Sequence, residues 1–286
     1  MRRGPAFAAG LCLLAGLGAC AAPRVDSPVP VEELTPPQIV AGCCDRAGDY
    51  PDWMLELADA SSETMRQVGL IQLRPGRMTD QPEARAALVG ALQPLDVLFF
   101  HSDNRVSGLL IPGQFTHGAV YLGSEAQLRA AGLWNLPALR PYQAQIAAGD
   151  IYLEAVDGGV RLIGPEVVLD TDAVVALRPR GISAPATMAR GLGMMGVPFD
   201  MRFDATDDSA LFCAEMIARM YPAADMPRTA VLDRETIVID GIVAGALAGD
   251  LPFGLVGYVE ATTGGGARAL SARDLAWDIR LEWPDP

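Results

Sequence analysis

Two runs of strand-forming residues, separated by two turn-forming residues, constrain the fold more than any other part of the chain. IYLEAV occupies residues 151–156 and GVRLIG occupies residues 159–164, with Asp157 and Gly158 between them. An Asp-Gly pair between two such runs is a strong signal for a two-residue β-hairpin, because glycine and aspartate tolerate the backbone angles of that turn. The sequence therefore predicts an antiparallel pair of strands in the middle of the chain.

Other strand-like and helix-like segments lie on both sides of this hairpin. The apolar pattern predicts further strands at 95–101, 117–123, 172–179 and 255–262. It predicts helices at 53–69, 82–92, 124–134, 185–195 and 209–221. Antiparallel strands with helices before and after them predict an α+β fold.

The composition excludes one class of partner. The chain has 286 residues, half of them apolar, which is enough to bury a sizeable core. It contains no lysine, and its formal net charge is −13. Because a nucleic-acid-binding protein needs a clustered basic face, we expect no nucleic-acid partner.

The first twenty residues have the layout of an export signal. Two arginines precede an apolar run over residues 6–17, which is too short for a comfortable transmembrane helix, and small residues then lead to Cys20. The sequence LGAC ending at Cys20 resembles the bacterial lipobox, in which the cysteine is acylated and becomes the mature N-terminus. The resemblance implies a Gram-negative envelope protein that faces the periplasm, and Ala21, which is not an aspartate, favours the outer membrane. The alternative is ordinary cleavage nearby, with Cys20 incidental.

These features divide the chain into three predicted segments. Residues 1–19 are the signal peptide, residues 20–49 are the lipidated cysteine with a proline-rich tether, and residues 50–286 are the folded domain. Cys43 and Cys44 are neighbours, and adjacent Cα atoms are closer than a relaxed disulfide prefers. They could bond to each other, pair with other thiols or stay reduced, so the pattern leaves their role open.

Cys213 and His117 are the candidate reactive residues. Cys213 falls near the start of the predicted 209–221 helix, where Asp207, Asp208 and Ser209 offer N-caps. The positive end of the helix dipole favours a thiolate there, the two aspartates oppose it, and a cationic histidine would be the main source of activation. The alternatives are a buried structural cysteine and a structural histidine on an apolar strand.

Other chemistries have little support. The chain has two histidines, sixteen positions apart, and no CxxC pair, so the spacing does not suggest a metal site. No phosphate-binding glycine loop follows a strand, and no GxSxG sequence is present. We expect no metal and no cofactor.

Three separated motifs carry a resemblance to a known family. SGLLIPGQFTHGAVYLG, IYLEAVDGGV and PFDMRFDATDDSALFCAEM resemble, in this order, the YiiX/YebB-like branch of the NlpC/P60 superfamily. These proteins are circularly permuted papain-like thiol hydrolases related to the lecithin retinol acyltransferase group. The resemblance covers residues 95–221 and implies an antiparallel sheet or barrel packed against the helix that carries the nucleophile, within a hydrolase domain over 50–286.

The resemblance also implies the catalytic residues. It implies Cys213 as nucleophile, His117 as general base and Glu154 as the third member, which would orient the imidazole. The peptide N–H of Cys213 can donate to the oxyanion. For Glu154 the alternative is a carboxylate on a solvated face. Glu166, Asp157 and Asp200 are lesser candidates that could take the place of Glu154. His101 is expected to be a surface or structural histidine, and Glu215 is expected to pair with Arg219 or to cap locally.

The expected activity is hydrolysis of an amide or ester through a cysteine thioester. A peptide stem of peptidoglycan is the first substrate class, and an acyl lipid, as in the lecithin retinol acyltransferase group, is the alternative. A third reading is a non-catalytic envelope module that keeps the pocket. The membrane is a further expected partner, through the lipid on Cys20.

Overall fold

A computed structural model describes residues 30–44, 71–231 and 234–283 of the chain. The predicted signal peptide, Cys20 and the helix predicted at 53–69 lie outside these ranges. Of the predicted tether, only residues 30–44 are described.

A seven-stranded antiparallel sheet is the centre of the fold. Its strands follow the order β4-β3-β2-β1-β5-β8-β9, and a separate hairpin joins β6 to β7. The strand bounds are β1 Asp96–His101, β2 His117–Tyr121, β3 Tyr152–Val156, β4 Gly159–Ile163, β5 Ala173–Pro179, β6 Thr229–Val231, β7 Arg234–Thr236, β8 Phe253–Ala261 and β9 Ala267–Leu270.

The hairpin predicted from the Asp-Gly pair is confirmed. Strands β3 and β4 pair with Val156 opposite Gly159, so Asp157 and Gly158 form the two-residue turn. Of the two predicted alternatives, sheet or barrel, the described residues form the sheet, and β4 and β9 are its two open edges. The predicted α+β class is confirmed.

Helices cover both faces of the sheet. Their bounds are α1 Pro36–Ile39, α2 Pro82–Ala91, α3 Val106–Leu110, α4 Glu125–Ala130, α5 Gln143–Ala148, α6 Pro165–Val168, α7 Ala184–Gly193, α8 Cys213–Met220, α9 Ile239–Ala248 and α10 Ala272–Glu282. Alternate strand residues face opposite layers: Val97 and Phe99 join the larger core with α7 to α10, whereas Leu98 and Phe100 join the smaller core under α2. None of the helices in the described ranges has both the length and the apolar character needed to span a membrane.

Helix α8 packs closely against β2, and Gly118 makes this contact possible. A Cβ atom at Gly118 would lie 2.8 Å from Cδ1 of Ile217 on α8 and 2.9 Å from the ring of Phe99. The glycine therefore lets the helix that begins with Cys213 lie directly on the strand that begins with His117.

The start of α8 differs from the prediction. The helix begins at Cys213, and its N-cap residue is Phe212, which provides no side-chain cap. The preceding residues stay extended because the N–H of Leu211 donates to the carbonyl of Pro198 at 2.8 Å and the carbonyl of Leu211 accepts from Asp200 N–H at 3.1 Å. Cys213 is thus the first helical residue rather than one turn inside.

Residues 30–44 differ from the predicted tether. Leu34, Ile39 and Val40 are buried against Ala244 of α9 and Ala276 of α10. Cys43 and Cys44 form a disulfide between adjacent residues. This part of the segment belongs to the packed domain because its apolar side chains are covered by the two C-terminal helices.

Candidate active site

The Cys213 thiol lies at the junction of α8 and β2. Cys213 is 5% exposed, and among the described cysteines it is the free one. As the first residue of α8, its N–H has no acceptor within the helix, and the positive end of the helix dipole lies at the sulfur. The position therefore stabilises negative charge on Sγ and on any atom bound beside it.

His117 connects the thiol to a carboxylate. Its Nε2 lies 2.9 Å from Oε2 of Glu154, and its ring lines the same pocket as the Cys213 side chain, with which it interacts electrostatically. Since Nε2 faces Glu154, Nδ1 is the nitrogen available to the sulfur. The ring also stacks on Phe100, its cross-strand neighbour, with ring centroids 5.7 Å apart. The three residues thus form a thiol–imidazole–carboxylate chain with a fixed ring orientation.

The electrostatics of this chain favour a protonated ring. Burial alone lowers the pKa of His117, but hydrogen bonds and charge from Cys213 and Glu154 outweigh burial and raise the pKa from 6.5 to about 10. Burial likewise raises the pKa of Glu154, yet the charges of His117 and Arg161 outweigh it and hold that pKa below 4.5. At neutral pH the ring is an imidazolium and Glu154 is a carboxylate.

Arg161 is a site residue that the sequence reasoning missed. Its Nε donates to Oε1 of Glu154 at 2.9 Å, which leaves Oε2 to His117. The sequence does contain a signal for this contact. The two-residue turn at Asp157-Gly158 fixes the register of the β3–β4 hairpin, and that register places Arg161 directly opposite Glu154. Glu154 is 4% exposed and Arg161 is 49% exposed, so a half-solvated cation supports a buried carboxylate.

A pocket of about 270 Å³ opens onto these residues. Its lining includes Cys213, His117 and Glu154. Nine of the other seventeen lining residues are apolar, from β1, β3, α6, the residue after α3 and the loop before α8, and the remaining eight are polar or charged. The volume is close to the lower end of about 300–1,000 Å³ typical of small-molecule sites. A substrate carbonyl in this pocket can reach the sulfur and the N–H of Cys213 together.

The substitutes considered for Glu154 have other partners. Glu166 forms an ion pair with Arg85 at 2.6 Å. Asp200 is buried and accepts hydrogen bonds from the backbone N–H groups of Arg202 and Asp204 at 2.7 and 2.6 Å. Asp157 lines the pocket from the hairpin turn.

The remaining polar candidates are structural. Nδ1 of His101 lies 2.7 Å from the carbonyl of Gln114, and Nε2 lies 3.4 Å from Asp103. Oε1 of Glu215 accepts from Arg219 at 2.6 Å, which confirms the predicted pair. Neither side chain lines the pocket that contains Cys213.

Asp240 is a second residue that the sequence reasoning missed. It is fully buried in the first turn of α9 and accepts hydrogen bonds from the N–H groups of Gln114 and Phe115 at 2.7 and 3.0 Å. Trp283 donates to the same carboxylate at 2.7 Å. Burial raises the pKa of Asp240 to about 6 against these donors. The carboxylate therefore fixes the backbone that leads into β2 and His117.

The fold and the site together define a class of protein. A cysteine that begins a helix, a histidine on the strand beneath that helix, and the chain order histidine, carboxylate, cysteine are typical of a permuted papain-like cysteine hydrolase.

The comparison with known families agrees with this class. Residues 91–240 match the family described as "Permuted papain-like amidase enzyme, YaeF/YiiX, C92 family", and the chain belongs to this family. It is therefore a cysteine hydrolase with a permuted papain-like fold, as the three sequence motifs predicted. No curated protein and no solved structure matches the chain at a significant level.

Proposed function

We propose that Cys213, His117 and Glu154 are the catalytic residues and that they cleave an amide or ester through a thioester. The observation that carries the proposal is the arrangement of thiol, imidazole and carboxylate in one pocket, where the imidazole is hydrogen-bonded to Glu154 and interacts electrostatically with the Cys213 side chain. Cys213 is the nucleophile, His117 holds and transfers the proton, and Glu154 orients the ring and stabilises its positive charge.

The first half of the reaction forms the thioester. The Cys213 thiolate attacks the carbonyl carbon, and the developing oxyanion accepts a hydrogen bond from the N–H of Cys213. The bond between the carbonyl carbon and the leaving nitrogen or oxygen then breaks. The His117 imidazolium gives its proton to the leaving amine or alcohol as this bond breaks.

The second half releases the acid. His117, now neutral, takes a proton from water as that water attacks the thioester carbon. The carbon–sulfur bond breaks, the carboxylic acid leaves, and the proton on the ring restores the thiolate–imidazolium pair. Glu154 stays ionised throughout, because its pKa is held low by His117 and Arg161.

Arg161 is proposed as a positioning residue that acts through Glu154. In Arg161→Met we expect kcat/KM at neutral pH to fall by a few-fold, since a half-exposed ion pair contributes about 1 kcal/mol or less. Loss of the guanidinium also removes one influence that lowers the pKa of Glu154. The acid limb of the pH–rate profile should therefore move to higher pH, which a full pH profile of both proteins measures.

The matched control for this variant is Arg268→Met. Arg268 sits opposite Glu260 in the β8–β9 hairpin and donates to it at 2.7 Å, in the same cross-strand arrangement as Arg161 and Glu154. The control should keep the wild-type acid limb. An unchanged acid limb in Arg161→Met, or an equal shift in both variants, contradicts the positioning role.

For the substrate, the first candidate is a peptide stem of peptidoglycan, which fits a protein exported to the envelope. The second candidate is an acyl lipid, which the apolar lining of the pocket favours. Muropeptides and phospholipid vesicles, each incubated with wild type and with Cys213→Ala, distinguish the two. If neither mixture gives a product whose formation depends on Cys213, the result counts against both substrates and in favour of the binding-module alternative.

We also propose that the protein is exported and lipid-anchored at Cys20 on the periplasmic side of the outer membrane. The support is the LGAC sequence with Ala21 after it. Cells grown with a labelled fatty acid should label the wild-type protein and leave Cys20→Ala unlabelled. Equal labelling of both proteins contradicts the anchor.

A further inference from the structure

Three apolar residues in the loop before α8 form one wall of the pocket beside the nucleophile. Phe199, Met201 and Phe203 all line the pocket with Cys213, and each is partly exposed. The ring of Phe203 packs edge-on against Phe199 and Phe212, with centroids 5.9 and 5.6 Å apart. Alternate residues of this loop thus present apolar side chains to the pocket.

The loop that carries this wall is held by a buried carboxylate. Asp200 is 5% exposed, and its two oxygens accept the backbone N–H groups of Arg202 and Asp204. Its own N–H donates to the carbonyl of Leu211, two residues before Cys213. Phe199 also pairs with Leu211 in a parallel bridge. The wall is therefore fixed relative to the sulfur before any ligand binds.

The rest of the pocket lining is mixed. Apolar side chains come from Ile111 after α3, Val168 at the end of α6, and Ala155 and Val156 of β3, and the polar or charged side chains include Ser102, Arg105, Ser107 and Asp170. The groups proposed for catalysis, Cys213, His117 and Glu154, lie together at one part of this lining. A ligand that fills the pocket would place a reactive carbonyl at the sulfur and an apolar group against the wall of Phe199, Met201 and Phe203.

We infer that the pocket binds the acyl part of the substrate and selects an aliphatic chain. The inference rests on the proposed function, because it assigns a group to the substrate that Cys213 attacks. The volume of about 270 Å³ suits one such chain rather than a larger ligand. Each methylene buried in the transition state should raise kcat/KM by about two- to fourfold until the pocket is full.

The test is a series of p-nitrophenyl esters with acetyl, butanoyl, hexanoyl and octanoyl groups. We expect kcat/KM to rise along the series, and we expect the octanoyl-to-acetyl ratio to fall several-fold in Met201→Ala. The matched control is Met195→Ala, since Met195 is also partly buried but packs against the main core. The control should keep the wild-type ratio.

The outcomes separate this inference from the proposed function. If kcat/KM is the same for all four esters and turnover disappears in Cys213→Ala, the aliphatic selection is overturned and the proposed hydrolase function is retained. Equal turnover in wild type and Cys213→Ala counts against the proposed function. Ligand binding is then tested separately, by the protection that an amide gives Cys213 against iodoacetamide. Octanamide should protect better than acetamide, and equal protection overturns the inference. Faster cleavage of a phenylalanyl ester than of the octanoyl ester overturns it in favour of a peptide.

Discussion

Replacement of Cys213 by alanine is expected to lower kcat/KM by about 10,000-fold or more on any substrate that the wild-type protein hydrolyses. The reason is that thioester formation needs the sulfur, and loss of a nucleophile removes the effect of the groups that act with it. Hydrolysis rates of wild type and Cys213→Ala on the same ester measure this change. Iodoacetamide labelling should modify Cys213 in the wild-type protein rapidly, because the sulfur has the imidazolium of His117 beside it.

The matched control is the double variant Cys43→Ser with Cys44→Ser. These cysteines lie on the segment that packs against α9 and α10, and they line a different groove. The double variant should keep both the activity and the rapid labelling. A Cys213 that reacts no faster than a small free thiol, in a protein without measurable turnover, would support a binding module instead of an enzyme.

Replacement of His117 by asparagine is expected to lower kcat/KM by about 100- to 10,000-fold, the usual range for loss of a general acid–base group. The pH profile should identify the same residue. The pKa of His117 is raised to about 10, so the ring is protonated below that pH and neutral above it. A neutral ring cannot protonate a leaving amine, so amide hydrolysis by the wild-type protein should decline as the pH rises through about 10. Rates across the alkaline range, on a soluble amide, measure this limb.

His101 provides the control for this prediction, since the chain has only two histidines. His101→Asn should keep the alkaline limb, because that ring is held by Gln114 and Asp103 rather than by the thiol. Circular dichroism over the same pH range separates loss of activity from unfolding. A wild-type profile that falls near the ordinary histidine pKa of 6.5 would contradict the assigned protonation of His117.

The features that the sequence predicted well are local. The Asp157-Gly158 turn determined its own hairpin, and short continuous apolar runs were enough to locate strands such as β1 and β5. The three motifs predicted the family and the class of reaction because each motif keeps its residue types and its order along the chain. The same hairpin register could have predicted the contact between Glu154 and Arg161.

The features that the sequence missed depend on distant residues. The start of α8 moved to Cys213 because Pro198 and Asp200 hold Leu211 in an extended conformation, and no local cap indicates this. The contact of Asp240 with Gln114 joins residues 126 positions apart. The apolar pattern of one segment contains no information about partners that lie far away in the sequence.

The packing of residues 30–44 on the C-terminal helices would limit how far the proposed lipid anchor lets the domain stand from a membrane. A tether from Cys20 to residue 49 could extend about 100 Å, since each extended residue spans about 3.5 Å. With Leu34 already buried on the domain, only about ten residues separate Cys20 from the first described residue, Pro30, and they can span at most about 35 Å. The proposed lipid on Cys20 would therefore hold the hydrolase within about 35 Å of the bilayer surface.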